Sequence, residues 1–336
     1  MGRDAEGNFT PGWTPPSFTV DDEGKIVGYV NERRPNNWGR WGHLDERGTV
    51  NFITPQHVAE AASLIRTGEV ISCAIPLDST GPVHPARTNI THFFSVTGAD
   101  FVAGTAMSQL YPKLQGTDDY IIMPLQGSTQ WDGLSHIGYG DTFYNGFWVG
   151  NVEQFAGAKR LGIHQLKSKL IGRGVLLDMA RHKGVRRLEQ GYGITAEDLD
   201  ACIEAQAVSV RTGDILIVRT GHVAWWYELE DKAQFWEGAL GMSITTVGWL
   251  HDKEIAALAM DNIAIEVEPF EEPAEHYYPM HSRLIRDLGL SLGEIWHLEE
   301  LAESCAADGR YEFFVAAQPL NVTNGSGSPI NPIVIK

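Results

Sequence analysis

Apolar residues in this chain come in strand-sized runs and never longer ones. Gly174–Leu177 and Ile215–Val218 are examples. A membrane-spanning helix needs about 20 consecutive apolar residues, so no membrane partner is expected. Residues Met1 to Thr10 are polar and lack the apolar core of a signal peptide. A cytoplasmic location follows as an expectation.

The runs Val70–Leu77, Gly174–Asp178, Asp214–Arg219, Asn262–Val267 and Tyr311–Ala316 are rich in Val and Ile, which predicts strands buried on both faces. Helices are signalled between them. Pro55–Thr67 has Thr54 as N-cap, Pro55 as its first residue and Gly68 as its stop. A second begins after Thr195, with Glu197 and Asp198 in its first turn. A third is predicted over Lys253–Met260, beside the possible cap Asp252. Strands and helices alternate only loosely, so the reading is a mixed α/β domain over residues 35–336. Residues 1–34, rich in Pro and Gly, form an N-terminal arm packed on it.

Charge narrows the partners. Lys and Arg number 26 against 43 Asp and Glu, a net −17, and no basic cluster exceeds Arg33–Arg34 or Arg186–Arg187. Nucleic-acid binders present a basic face, so nucleic acid is excluded as a partner. Cys73, Cys202 and Cys305 are odd in number and far apart, which rules out a disulfide framework and a Cys-based zinc site. Neither a phosphate loop, a dinucleotide fingerprint nor a Gly-x-Ser-x-Gly elbow occurs.

The segment Leu125–Gly146 carries the chemistry. Gln126, Gln130, Asp132 and His136 fall at offsets of zero, four, six and ten. All are even, so an extended chain projects the four side chains to one side. Converging Asp, His and amide groups can hold a divalent cation. The same residue types are also ordinary turn and surface groups, and Asp132-Gly133 is a common turn pair. The neighbouring rings, Trp131, Tyr139, Phe143, Tyr144 and Trp148, either wall a pocket or fill core. His222 lies after the strand Ile215–Arg219 beside Trp225 and Trp226, where it either touches substrate or is buried under the tryptophans.

This segment resembles the motif of the cyclase-type metal-dependent hydrolases, His-x-Gly-Thr-His-x-Asp-x-Pro-x-His. Thr129, Asp132 and His136 match, while Gln126 and Gln130 replace the first two histidines. The similarity extends over roughly residues 35–336. It includes Asp45–Pro55 as the entry to the first helix, the strand Gly172–Asp178, and His281 placed 18 residues before Glu299 in a Leu-Glu context.

The resemblance implies a swivelling β/β/α fold and a homo-oligomer, dimer or tetramer. It implies metal ligands Gln126, Gln130, Asp132, His281 and Glu299, with Glu300 the neighbouring alternative, and His136 as the proton-transfer group. One divalent ion per chain, zinc or manganese, is expected. The implied reaction is hydrolysis of a lactone, a cyclic amide or an activated aryl amide. The metal would lower the pKa of its water and polarise the scissile carbonyl. Trp131, Tyr144, His222 and Trp225 would hold a flat small-molecule substrate. A polyketide-type cyclase or lyase, or a non-catalytic ligand binder, is the alternative.

Overall fold

The computed structural model describes residues 2–3, 9–10, 17–272 and 278–336. The strands that organise it are β1 (Val70–Ser72), β2 (Thr91–Val96), β3 (Asp118–Ile122), β4 (Gln130–Asp132), β5 (Ile171–Asp178), β6 (Ile215–Arg219), β7 (Ala257–Met260), β8 (Ser291–Glu294), β9 (Glu312–Ala316), β10 (Gly327–Pro329) and β11 (Ile333–Ile335). The larger helices are α1 (Pro55–Ala62), α2 (Ala196–Gln206), α3 (His222–Glu228), α4 (Val247–Asp252) and α5 (Glu299–Asp308).

All these strands except β2 and β3 join one nine-stranded sheet in the order β10-β4-β8-β7-β6-β5-β9-β11-β1. Its centre, β8-β7-β6-β5, is parallel, and every pairing outside it is antiparallel. The central strands are apolar because both faces are covered. Period-two alternation sorts their side chains. Val175, Leu177, Leu216, Val218 and Leu258 enter one core cluster, and Leu176, Ile215, Ile217, Ala257 and Ala259 enter the other. The molecule is a mixed α/β protein. Among the described residues, no helix is long and apolar enough to cross a membrane.

The caps behave as their chemistry demands. Thr54 and Thr195 each accept a hydrogen bond from the backbone of the third helical residue, and that residue's side chain returns the bond. The helix α1 ends at Ala62, with the chain turning before Gly68.

Two sequence expectations fail. Lys253–Met260 is not a helix: α4 ends at Asp252, and Ala257–Met260 is a strand between β6 and β8. Ala, Leu and Met favour helix, but burial in a parallel sheet overrides that preference. Asn262–Val267 is not a strand but the loop that leaves β7. Within the arm, Asn31 and Arg33 reach the buried Asp287 carboxylate at 3.1 and 3.3 Å.

A separate hairpin pairs β2 with β3 antiparallel, outside the large sheet. Phe93, Phe94, Tyr120, Ile121 and Ile122 are all exposed on it.

Candidate metal centre

The site lies where the parallel strands end, the usual place for a ligand in an open α/β sheet. Strand β4 runs antiparallel to β8 with Gln130 opposite Glu294 and Asp132 opposite Leu292. Directly paired residues share a face, and so do residues two apart. Gln130, Asp132 and Glu294 therefore converge. On its other edge β4 is covered by β10, where Gly327 faces Asp132. A Cβ at Gly327 would lie 2.9 Å from the Trp131 carbonyl oxygen, a backbone atom that cannot swing away, so this close approach favours glycine.

His281 arrives from a short helix, Pro279–His281. Its position is set by Glu266 in the loop after β7. Both Glu266 oxygens accept backbone N–H bonds, from Met280 and His281, each 3.1 Å long. Glu266 Oε1 also pairs with His281 Nδ1 at 2.7 Å. That leaves Nε2 facing Glu294 Oε1 at 3.2 Å and Asp132 Oδ2 at 3.9 Å. A carboxylate behind a histidine in this way fixes its tautomer and raises its basicity.

Asp132, His281 and Glu294 are all buried, and each offers a ligand atom within 4.8 Å of the others. Both Asp132 oxygens and Gln130 Oε1 are buried with no hydrogen-bond partner, while Gln130 Nε2 donates to Glu294 Oε2 at 3.0 Å. Orphaned buried oxygens are costly unless a cation meets them. Burial and the Glu294 charge push the Asp132 carboxyl well above its usual pKa. Burial also pulls Glu294 upward, but the hydrogen bond and charge of His281 overcome it and hold that carboxyl below its ordinary value. Burial disfavours a charged His281, yet its bonds to Glu266 and Glu294 lift it to about 10. Three carboxylates, Asp132, Glu266 and Glu294, gather around one imidazole, and this oxygen-rich donor set fits a divalent cation.

His136 follows a tight turn, its N–H bonded to the Gly133 carbonyl, and its Nε2 lies 3.7 Å from Asp132 Oδ1. Burial and the His281 charge lower it to about 4, so the imidazole is neutral. It lines a cavity of about 310 Å³ with Arg87, His84, Tyr278, His281 and Glu294. A second chamber of about 210 Å³ shares His84, Ile263, Ala264 and Tyr278 with the first.

Several expected residues lie elsewhere. Glu299 is not beside Asp132: it begins α5 and binds Arg219 at 2.9 and 2.7 Å. Glu300 follows it in that helix. Glu294, five residues earlier, stands in the cluster instead. Gln126 turns away and donates to Ser326 at 3.2 Å. Trp131, between two residues that face the cluster, points to the opposite face of β4, where it packs on Trp296 and donates to the Ala317 carbonyl. Tyr144 is core, its hydroxyl 3.1 Å from Asp45. His222 is buried, stacks on Phe235 at 4.3 Å and lines the second chamber. Trp225 lies under Arg187 at 3.9 Å and lines a different cleft.

Glu294, Glu266, Arg87 and His84 were not singled out by the sequence. The available signals were an acid ending the run Leu290–Glu294 and an acid inside the run Asn262–Val267.

Comparison with known proteins identifies the family to which this fold belongs. A family model described as a putative cyclase matches residues 49–267, well over half of the chain. A crystal structure described as a novel cyclase is 48% identical, with a TM-score of 0.84, covering 90% of this chain and 99% of that one. The chain belongs to the cyclase family. Isatin hydrolase A from Labrenzia aggregata, bound to benzyl benzoate, shares the fold at 17% identity and a TM-score of 0.55, covering 83% of this chain and 97% of its own. Isatin hydrolase A from Ralstonia solanacearum does so at 16% and 0.56, covering 82% and 94%. No curated protein matches the sequence. His281 and Glu294 lie beyond the stretch that the family model matches.

Proposed function

We propose that this chain is a metal-dependent hydrolase that opens a lactone or a cyclic amide. The observation that carries the reading is Asp132, buried beside Glu294 and His281 with both oxygens unpartnered. Asp132, Glu294 and His281 Nε2 would hold one divalent ion, with Gln130 Oε1 available to complete the shell. Two carboxylates balance one such ion and leave little to offset a second. The oxygen-rich set suits manganese as well as zinc. When bound, the ion supplies a Lewis acid for a carbonyl and lowers the pKa of water.

The chain's own groups do the rest. Neutral His136 takes the proton of the attacking water at Nε2 and returns it to the leaving oxygen or nitrogen. Arg87, on the cavity wall, pairs with the carboxylate that ring opening creates. Ile137, Ile263 and Ala264 line the cavity with apolar surface. The isatin hydrolases that share the fold support a ring-shaped substrate by their name alone.

The test supplies zinc and manganese separately and screens lactones, cyclic imides and N-formyl aryl amines in oxygen-18 water. Ring opening with label in the carboxylate is expected. Turnover without label would make the protein a lyase or cyclase, and failure to take up any metal would make it a binder. The reading includes a homo-oligomer, supported by the rings exposed on the β2–β3 hairpin, 44% for Phe93, 51% for Phe94 and 57% for Tyr120. Sedimentation at micromolar protein should show a dimer or larger, and Phe94→Asp should shift it toward monomer; a wild-type monomer would refute it.

A further inference from the structure

The two adjoining chambers differ in charge. Arg87 lines the first, next to the carboxylate cluster, and does not line the second. The second contains no arginine or lysine, and its histidines, His84 and His222, are held neutral. Burial and the Arg87 charge lower His84, and burial with Arg187 lowers His222 to about 3. Its one acidic lining residue is Glu268. Glu268 sits two residues beyond the histidine-bonded Glu266, at the end of the same loop. Among the described residues, no hydrogen bond or ion pair reaches its side chain.

Around that carboxylate the walls are aromatic. Phe235, Trp236 and Tyr278 line the chamber. Phe235 and Trp236 meet edge to face, their centroids 5.1 Å apart, and Trp236 meets His84 the same way at 5.7 Å. An unpaired carboxylate in a chamber lined by aromatic rings is an arrangement that recognises an organic cation, through charge and through the ring quadrupoles. Burial and the charge of Glu266 disfavour the ionised Glu268, and a cation seated beside it would relieve both. The net charge of −17 adds a long-range field of the same sign.

We propose that the second chamber is a subsite for an ammonium-bearing arm of the substrate, held by the Glu268 carboxylate against Phe235, Trp236 and Tyr278. The subsite stands on its own geometry. What the arm is attached to, a ring opened in the first chamber, rests on the hydrolase reading above. The substrate would then lie with its carbonyl toward Arg87 and the cluster and its cation toward Glu268. Glu268 is a specificity residue, and it takes no part in the proton transfers.

Calorimetric titration tests this with three probes of one shape: 2-phenylethylammonium, 2-phenylethanol and phenylacetate, each against metal-loaded protein. The ammonium should bind at least about tenfold more tightly than the alcohol, the worth of one charge-assisted hydrogen bond. Phenylacetate, whose carboxylate Arg87 and the ion would draw into the first chamber, should not displace the ammonium. Glu268→Gln should erase the preference with metal content and melting temperature unchanged, and Glu268→Asp should restore part of it. Equal binding of ammonium and alcohol by the wild type would overturn the proposal, whatever the variants do. So would a preference that survives in Glu268→Gln. Hydrolysis of γ-lactones carrying an aminomethyl or a hydroxymethyl arm, assayed in parallel, separates the two readings. Binding preference without turnover supports the subsite and counts against the hydrolase. Turnover of both lactones at equal kcat/KM, with no binding preference, overturns the subsite alone.

Discussion

Two acidic clusters, one buried and one partly exposed at Glu299, sit at the carboxyl ends of neighbouring strands, and they are neutralised in opposite ways. At the ends of β5 and β6, Asp178 and Glu299 share Arg219, which reaches Asp178 at 2.7 Å and Glu299 at 2.7 and 2.9 Å. Arg181 adds a bond to Asp178 at 3.1 Å. Burial works against the Arg219 charge, but its acidic partners more than compensate and hold it firmly protonated. Around Asp132, Glu266 and Glu294 the only contacting cation among the described residues is His281, a group that can lose its proton. A carboxylate with an arginine built against it is part of the scaffold. One buried with its oxygens unpartnered leaves its charge to be met from outside, as the proposed ion would do. The difference separates Glu294 from Glu299, which look alike in sequence.

The strongest way to break this comparison is to remove the orphaned carboxylate. Asp132→Ala should abolish metal retention and turnover together. Metal content at the wild-type level in that variant would remove Asp132 from the site.

That expectation was legible early, and for a physical reason. Gln130 and Asp132 lie on a strand, so their even spacing put both on one face. The same rule fails at Gln126, which lies in a turn and bonds Ser326 instead, while His136 reaches Asp132 from a turn on the other side, where period two no longer applies. The distal carboxylate was not legible. Glu294 owes its place to antiparallel pairing with a strand more than 150 residues away in sequence, and only that register reveals which acid it is. Glu299 carries the family-like Leu-Glu context but meets an arginine. The parallel centre of the sheet was readable at Gly174–Asp178 and Asp214–Arg219 because both faces are covered. It is not readable at Ala257–Met260, where helix-favouring residues fill a strand.

A smaller effect is expected at His136. It touches the cluster from the cavity side, and His136→Ala should keep the metal while losing rate by roughly 10²–10⁴, the usual worth of general acid–base catalysis. Loss of the metal would make it a ligand and enlarge the orphaned set. Smaller again is Glu266→Gln, which weakens the support behind His281. Metal affinity should fall by about 10–100-fold, read by competition with a chelator. An unchanged affinity would show that Glu266 positions only the backbone.

The least effect is predicted on the other side of the comparison. Glu299→Gln removes one half-exposed partner of Arg219, so stability should drop by about 1 kcal/mol, with Asp178 still in place. Denaturant melts check the first part and elemental analysis the second, since metal content should not change. A variant that lost its metal would return Glu299 to the site.

The central claim is that the buried cluster under the cavity holds one ion. Protein stripped by chelator, dialysed and titrated with zinc or manganese tests it most directly, with bound metal counted by elemental analysis and stability followed in the same samples. The account predicts about one equivalent per chain, with the melting temperature rising as that equivalent binds, because an ion held only by the folded state stabilises it. No uptake, or uptake that proceeds to two equivalents with a second rise in stability, would contradict it.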